Sequence, residues 1–202
     1  MAEWDGYILT DHRFEFSPGS VILDVGCGSG HLLSELQRTA AFVFGVDPDR
    51  SSLNECRKRG LNVVAGEAEK LPFADGTFDG ILCKVVLSYT DDRKAVAEIA
   101  RTLRPGATAY IVTHGAGYYL IYLLKNRPLA TRFYGLRSLI NTTFLSLTGK
   151  RLPGFVGDTI YQSERRLSQL YTANGLEITS SRSSTGPLGF PVFIYHKITR
   201  KH

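Results

Sequence analysis

The sequence predicts an α/β fold: a doubly wound, mostly parallel seven-stranded sheet with an antiparallel C-terminal strand and a helical cap inserted after the fifth strand. Short apolar runs alternate with helical patterns as far as residue 114, two strand-like runs end the chain, and a basic, aromatic segment separates these parts. Strands joined by single helices form right-handed crossovers, which produce a parallel sheet covered on both faces. For 202 residues we expect one domain over residues 1–202, with 118–166 as the inserted cap.

Seven strands are predicted from short apolar runs that are bounded by turn residues. Five precede the cap, at Val21–Val25, Phe42–Asp47 and residues 61–65, 78–83 and 108–113. The last two, over residues 176–182 and 190–199, are joined by a stretch that contains glycine, proline and serine. We expect this pair to form a hairpin that adds an antiparallel strand at the sheet edge.

Four helices outside the cap are predicted from apolar positions three and four residues apart and from capping residues at the helix ends. They cover residues 29–38, residues 51–59 with Ser51 or Ser52 as the N-cap, the segment from Asp91 or Asp92 to Pro105-Gly106, and residues 163–173 before Gly175.

The net charge of +5 is concentrated in the predicted cap. Residues 118–166 carry 8 Lys and Arg against 2 Asp and Glu, whereas residues 1–117 carry 12 against 16. An acidic scaffold followed by a basic, aromatic segment indicates a recognition element. The longest apolar stretch, residues 118–124, is far shorter than the ~20 residues that span a bilayer. Three cysteines, an odd number, predict a reducing, cytoplasmic compartment.

A glycine-rich turn follows the first predicted strand. Glycine lets the backbone turn tightly and lets a ligand approach the chain closely. A dinucleotide site requires a third small residue at the position of His31, whereas the third glycine here is Gly30. With Asp24 two residues before Gly26, the pattern resembles the first motif of the class I S-adenosylmethionine (SAM)-dependent methyltransferases. This resemblance implies a Rossmann-like sheet, SAM as the cofactor and methyl transfer as the activity.

Three further segments agree with this resemblance. Asp47 ends the second strand, 17 residues beyond Gly30. Residues 66–73 follow the third strand with a polar loop, and Leu103-Arg104-Pro105-Gly106 precedes the fifth strand. The order is similar to that of the small-molecule branch, which includes quinone, sterol and natural-product enzymes, and it covers residues 19–114 of the chain.

The resemblance implies which residues would hold the cofactor. Around the adenosine part, Asp47 would accept hydrogen bonds from the ribose, Pro48 would lie near the adenine, Glu67 would accept from the adenine amino group, and the Ala68 N–H would donate to a ring nitrogen. Around the methionine part, the family positions are Gly26, Cys27 and Gly28 with Asp24 behind them, Gly30 in the same turn, and the backbone carbonyls of Cys83 and Lys84.

The chain departs from the family at the place where a base is often found. Relatives often have paired histidines after the fourth strand, but this chain has Leu87-Ser88-Tyr89. Tyr89 and His114 are the candidate proton acceptors, because both should lie on the rim formed by the carboxyl ends of the fourth and fifth strands. No Cys-Pro dipeptide and no Cys/His cluster indicates a cysteine nucleophile or a metal site.

The sequence leaves the methyl acceptor open. The cap is a lid that packs on the sheet, a cover over a lipophilic or anionic small molecule, or a segment that rests on anionic lipid headgroups. Its basic and aromatic residues also suit single-stranded nucleic acid. The Asn/Asp-Pro-Pro-Tyr signature of base-amine methyltransferases is replaced by Cys83-Lys84-Val85-Val86, which disfavours that substrate. Protein substrates and a non-catalytic binding or partner subunit remain alternatives, and the pattern does not indicate an oligomeric state.

Overall fold

The structure is a computed structural model that describes residues 14–38, 42–125, 127–154 and 157–202. Strands and helices alternate along these residues as far as the cap, except that β3 is followed by β4 with no helix over residues 66–77. The strands of the described residues are β1 (Val21–Val25), β2 (Phe42–Asp47), β3 (Asn62–Ala65), β4 (Phe78–Lys84), β5 (Leu103–His114), β6 (Leu176–Thr185) and β7 (Pro191–Arg200). Their helices are α1 (His31–Leu36), α2 (Arg50–Lys58), α3 (Asp92–Thr102), α4 (Ala116–Leu124), α5 (Leu129–Thr148) and α6 (Glu164–Ala173).

All seven strands form one sheet in the order β3-β2-β1-β4-β5-β7-β6. Strands β1 to β5 are parallel, and β7 runs antiparallel to both β5 and β6. The predicted fold class is therefore confirmed, including the C-terminal hairpin. The strand order reverses between β1 and β4, and ligands of open α/β sheets bind beyond the carboxyl ends of strands at such a reversal.

Helices cover both faces of the sheet because neighbouring side chains of a strand point to opposite faces. On one face, Leu23 and Ile81 pack in a cluster with apolar residues of α3 and α6. On the other face, Ile22 and Leu82 pack with Leu33 of α1 and with residues of α2. Two buried faces explain why β1 and β4 are almost continuously apolar.

Two predicted helix ends are wrong. Asp49, not Ser51 or Ser52, is the N-cap of α2, because its carboxylate accepts from both serine N–H groups at 3.0 and 3.2 Å. Helix α3 ends at Thr102 rather than at Pro105-Gly106, which lies within β5. Strand β5 begins early because Leu103 already pairs with Phe78 of β4. The N-cap of α3 is Asp91, one of the two predicted residues.

A buried ion pair joins α3 to α6. The carboxylate of Asp92, with 2% of its side chain exposed, accepts from Arg166 Nε at 2.6 Å and from Arg166 Nη2 at 2.8 Å. Gln162 Nε2 donates to the same carboxylate at 3.0 Å. A buried charge that loses its partner is strongly destabilising, so this contact holds the segment after the cap onto the sheet.

We expect Arg166→Met to lower the free energy of unfolding by about 3 kcal/mol, because it leaves the Asp92 carboxylate buried without its cation. Urea unfolding followed by circular dichroism measures the change. Arg165→Met removes an exposed arginine from the same helix turn and should change stability by less than about 0.5 kcal/mol. Equal effects of the two substitutions would contradict the structural role of the ion pair.

Candidate active site

The glycine turn after β1 has a backbone conformation that residues with a Cβ rarely adopt. Gly26 has φ +72°, and a Cβ there would lie 2.3 Å from Val86 Cγ2. Gly28 has φ +51°, but a Cβ there would meet nothing within 4 Å, so its requirement is conformational. The turn packs against the end of β2, because the N–H groups of Gly26 and Cys27 both donate to the Val46 carbonyl. These two amides are therefore used within the protein rather than offered to a ligand.

Asp47 fastens the same turn to the end of β2. Its Oδ2 accepts from the Gly28 N–H at 2.9 Å, and its Oδ1 accepts from the Asp49 N–H at 2.8 Å. A carboxylate has about four acceptor positions, so each oxygen retains one for a further donor. Asp47 is half-buried and faces a cavity, not the protein interior.

This cavity has a volume of about 420 Å³ and lies at the carboxyl edge of the sheet, beside the strand-order reversal. It brings together seven predicted positions, six for the cofactor and one catalytic, with several neighbours that the sequence did not indicate. The predicted residues that line it are Gly26, Asp47, Pro48, Glu67, Ala68, Lys84 and the candidate base Tyr89, and the unpredicted ones are Val46, Gly66, Glu69, Val85, Val86 and Thr90.

Five other predicted cofactor positions do not line the cavity. Asp24, Cys27, Gly28, Gly30 and Cys83 lie behind or beside its wall. Cys83 is fully buried, and burial raises the pKa of its thiol to about 12. Burial likewise raises the pKa of Cys27 to about 12. Both cysteines are thus neutral packed side chains, as expected for small residues without a reactive role.

Val85 shows backbone strain at the cavity wall. Its φ is +62°, an unusual value for a β-branched residue, and its N–H donates to the Val112 carbonyl at 2.6 Å. Such strain persists only where surrounding structure enforces it, and it is concentrated at functional sites. The sequence carries no signal for this feature, because valine is an ordinary strand residue.

The loop after β3 is held in place by α3. Glu69 Oε1 accepts from the Asp91 N–H at 2.9 Å, and Glu98 Oε2 accepts from the Leu71 N–H at 2.8 Å. Arg101 donates to the Leu71 and Phe73 carbonyls at 3.1 and 2.8 Å. These contacts position the backbone of Glu67 and Ala68 at the cavity. Sequence reasoning missed Glu98 and Arg101, whose partners lie 27 to 30 residues away.

Two charged groups of opposite sign lie at the methionine end of the predicted site. Burial raises the pKa of Asp24 to about 7, an effect that Lys84 opposes and Asp47 increases. Only 2% of Asp24 is exposed, whereas Lys84 is exposed at the end of β4. The site therefore contains one carboxyl group whose charge depends on pH near neutrality.

Tyr89 and His114 lie side by side, with ring centroids 6.3 Å apart, but only Tyr89 lines the cavity. Burial raises the pKa of Tyr89, and its hydroxyl accepts from the Tyr134 hydroxyl at 3.3 Å. His114 is buried and stacks on Tyr118 with a centroid distance of 3.6 Å. Burial lowers the pKa of His114 to about 3, so its ring is neutral at neutral pH. Its buried Nδ1 has no hydrogen-bond partner among the described residues.

The raised pKa of Asp24 predicts a pH-dependent loss of stability. An unfolded aspartate titrates near 4, so between about pH 4 and 7 the folded state holds a proton that the unfolded state has lost. Stability from this group is complete below pH 4 and falls as pH rises through 7. We expect Asp24→Asn, measured without ligand by urea unfolding, to match the original chain at low pH and to exceed it by up to about 4 kcal/mol at pH 8. Glu55→Gln, at an exposed position, should show no such divergence.

The sequence is similar to that of known methyltransferases. Residues 23–111 match a family model described as a methyltransferase domain. A demethylmenaquinone methyltransferase from Corynebacterium kroppenstedtii is 36% identical over 48% of this chain and 43% of the relative. A fatty-acid O-methyltransferase from Mycolicibacterium smegmatis is 43% identical over 44% of this chain and 35% of the relative. The chain thus matches less than half the length of each.

The fold is shared more widely than the sequence. A SAM-dependent methyltransferase from Methanosarcina mazei superposes with a TM-score of 0.65 at 21% identity, covering 92% of this chain and 94% of that one. The matched segment runs from within β1 to within β5 and contains the glycine turn, Asp47 and the loop after β3. Residues 23–111 are thus similar in sequence to the methyltransferase-domain family, and the described residues share the fold of a SAM-dependent methyltransferase.

Proposed function

We propose that this chain transfers the methyl group of SAM to a small, lipophilic organic acceptor. The observation that carries the proposal is the cavity, in which Asp47, the glycine turn and the loop of Glu67 and Ala68 face one space at the strand-order reversal. Its volume of about 420 Å³ lies within the range of small-molecule sites. Ligands of this fold class bind at this edge.

The residues present fit SAM. Asp47 retains an acceptor position on each oxygen for the two ribose hydroxyls. Glu67 is exposed to the cavity, and Ala68 is held beside it by the loop contacts with α3. The glycine turn contributes space for the methionine part rather than free N–H donors, since its amides are bound to Val46 and Asp47. When bound, SAM supplies a methyl group that is already electrophilic.

The chain's part in the reaction would then be to place the acceptor and exclude water. Tyr89, with its raised pKa, keeps its proton and is suited to donate a hydrogen bond that orients an acceptor oxygen. The ring of His114 is neutral and weakly basic. Its buried Nδ1 has no hydrogen-bond partner among the described residues and is therefore available to accept a proton. We assign positioning to Tyr89 and keep His114 as the candidate base.

Two observations support a lipophilic acceptor. The relatives described above are named for a demethylmenaquinone and for fatty acids. In this chain, Tyr89 borders a group of aromatic rings from the cap: Tyr134 packs against Tyr119 and Tyr122, with centroids 5.8 Å apart in both pairs. Aromatic walls with a few hydroxyl groups are typical of pockets for apolar ligands that carry one polar end.

We expect Asp47→Asn to weaken binding of SAM and of its demethylated product by about tenfold or more, because hydrogen bonds to a carboxylate contribute roughly 1.5–3 kcal/mol. Isothermal titration calorimetry measures both affinities. Asp49→Asn is the matched control: it removes a carboxylate two residues away but preserves the helix cap, and should change affinity less than about twofold. If the original chain binds neither compound, the proposed function is wrong. Binding without turnover of any acceptor would favour the non-catalytic subunit.

We expect Tyr89→Phe and His114→Gln each to lower turnover of a demethylmenaquinone or a fatty acid by more than about tenfold, while affinity for the demethylated cofactor stays within about twofold. Tyr110→Phe is the control, because it removes a phenol hydroxyl that donates to the Glu15 carbonyl, outside the cavity. Unchanged turnover in both variants would remove their assigned roles and leave the methyltransferase proposal standing.

A further inference from the structure

Helix α5 has its polar face turned inward and its apolar face turned outward. Six large apolar side chains are exposed on it, with exposed fractions from 37% to 81%: Leu129, Phe133, Leu136, Ile140, Phe144 and Leu147. Their spacing of three or four residues places them on one side of the helix, here called the apolar stripe. A surface helix of a globular protein has the opposite arrangement.

The inward face of α5 is mostly polar and makes several hydrogen bonds and one ion pair. Asn141 Nδ2 donates to the Thr159 carbonyl at 2.8 Å, and its Oδ1 accepts from the Leu152 N–H at 3.0 Å. Thr142 Oγ1 accepts from the Tyr161 N–H at 3.0 Å. Buried Arg137 forms an ion pair with Asp158 at 2.8 Å. Rolling the helix to bury the apolar stripe would break these contacts, so the exposure of the stripe is built into the fold.

The segment of the chain that contains the stripe is basic and has no acidic residue. Between Glu98 and Asp158 the chain has no aspartate or glutamate. Arg132 is exposed beside the stripe, Lys125 is exposed just before α5, and Lys150 is exposed just after it. An apolar strip with exposed cations beside it and just beyond its ends is complementary to a surface that is apolar within and anionic at its boundary.

We propose that α5 docks on an anionic lipid membrane, with the apolar stripe in the boundary between headgroups and acyl chains. No helix among the described residues is long and apolar enough to cross a bilayer, so the contact would be interfacial. A second copy of the chain fits less well. A two-fold contact places the same patch against itself, so the exposed cations Lys125, Arg132 and Lys150 would face the same cations of the second copy.

This docking goes beyond the proposed methyl transfer and does not rest on it. It would also bring the cavity close to the membrane. Tyr134 of α5 donates to the Tyr89 hydroxyl, and Tyr89 lines the cavity. The helix that contacts the membrane therefore also borders the cavity. A lipophilic acceptor could pass from the membrane to the site along the aromatic residues of the cap rather than through water.

The test is flotation with vesicles of phosphatidylglycerol and phosphatidylcholine in equal parts, compared with vesicles of phosphatidylcholine alone. We expect the chain to float with the anionic vesicles, and less at high salt. Phe133→Ser/Phe144→Ser should lower the partition coefficient by about tenfold or more, because two apolar side chains lose their burial. Arg132→Gln/Lys150→Gln should lower it by about tenfold or more as well, at about fivefold per cation.

Matched controls distinguish vesicle binding by the stripe from binding caused by general hydrophobicity or charge. Phe42→Ser/Val64→Ser removes apolar side chains of similar exposure, 60% and 38%, from β2 and β3. Arg38→Gln/Lys58→Gln removes two exposed cations from outside the cap. Both should bind vesicles within about twofold of the original chain. Calorimetry with the demethylated cofactor should show unchanged affinity in the stripe variant, which verifies folding and keeps this test separate from that of the proposed function.

Three results would overturn the proposal. The first is no flotation of the original chain with anionic vesicles at low salt. The second is equal flotation of the stripe variant and the original chain, which would mean that another surface binds the lipid. The third is a concentration-dependent dimer in gel filtration that Phe133→Ser/Phe144→Ser dissociates, without vesicle binding, which would assign the stripe to a second copy.

Discussion

The site depends on one carboxylate. Asp47 accepts hydrogen bonds from Gly28 in the turn after β1 and from Asp49 before α2, so it joins the ends of two neighbouring parallel strands. The turn can reach Asp47 only because Gly26 and Gly28 adopt positive φ. This linkage holds the turn against the end of β2 beside the cavity. It also uses the turn's amides internally, so the turn contributes shape rather than hydrogen-bond donors.

The electrostatic character of the cavity changes along its length. At the end proposed for adenosine, the exposed carboxylate of Glu67 and the half-buried carboxylate of Asp47 suit hydroxyl and amino donors. Near the turn, the pKa of buried Asp24 is raised to about 7 by burial. At the cap end, the ring of Tyr89 lines the cavity, and the buried, neutral ring of His114 lies beside Tyr89 without lining the cavity. Such a gradient would suit the polar cofactor and the lipophilic acceptor of the proposed function.

In the cap, helix α5 buries polar side chains and exposes apolar ones, the reverse of the usual arrangement. Buried polar groups of helix α5 bind main-chain groups of Leu152, Thr159 and Tyr161, and its large apolar side chains remain outside. Large exposed apolar patches on soluble chains mark interaction surfaces. Tyr134 on this helix contacts Tyr89, which lines the cavity. The outer surface of the cap and the Tyr89 end of the cavity are therefore separated by a single turn of helix. Recognition of a surface and of a substrate would share one structural element.

The sequence by itself determined what local spacing decides. Apolar runs and glycines predicted β1, β2 and the sheet class, and the positions of Asp47, Glu67 and Tyr89 at strand ends predicted that they would meet, because parallel strands bring their carboxyl ends to one edge. The tertiary structure alone decided the capping of α2 by Asp49, the strain at Val85, the support of the loop by Glu98 and Arg101, and the outward direction of the α5 stripe. The physical reason is distance along the chain. These features arise from contacts between residues far apart in sequence, or from competition among nearby acceptors for the same N–H groups, and neither leaves a periodic signal.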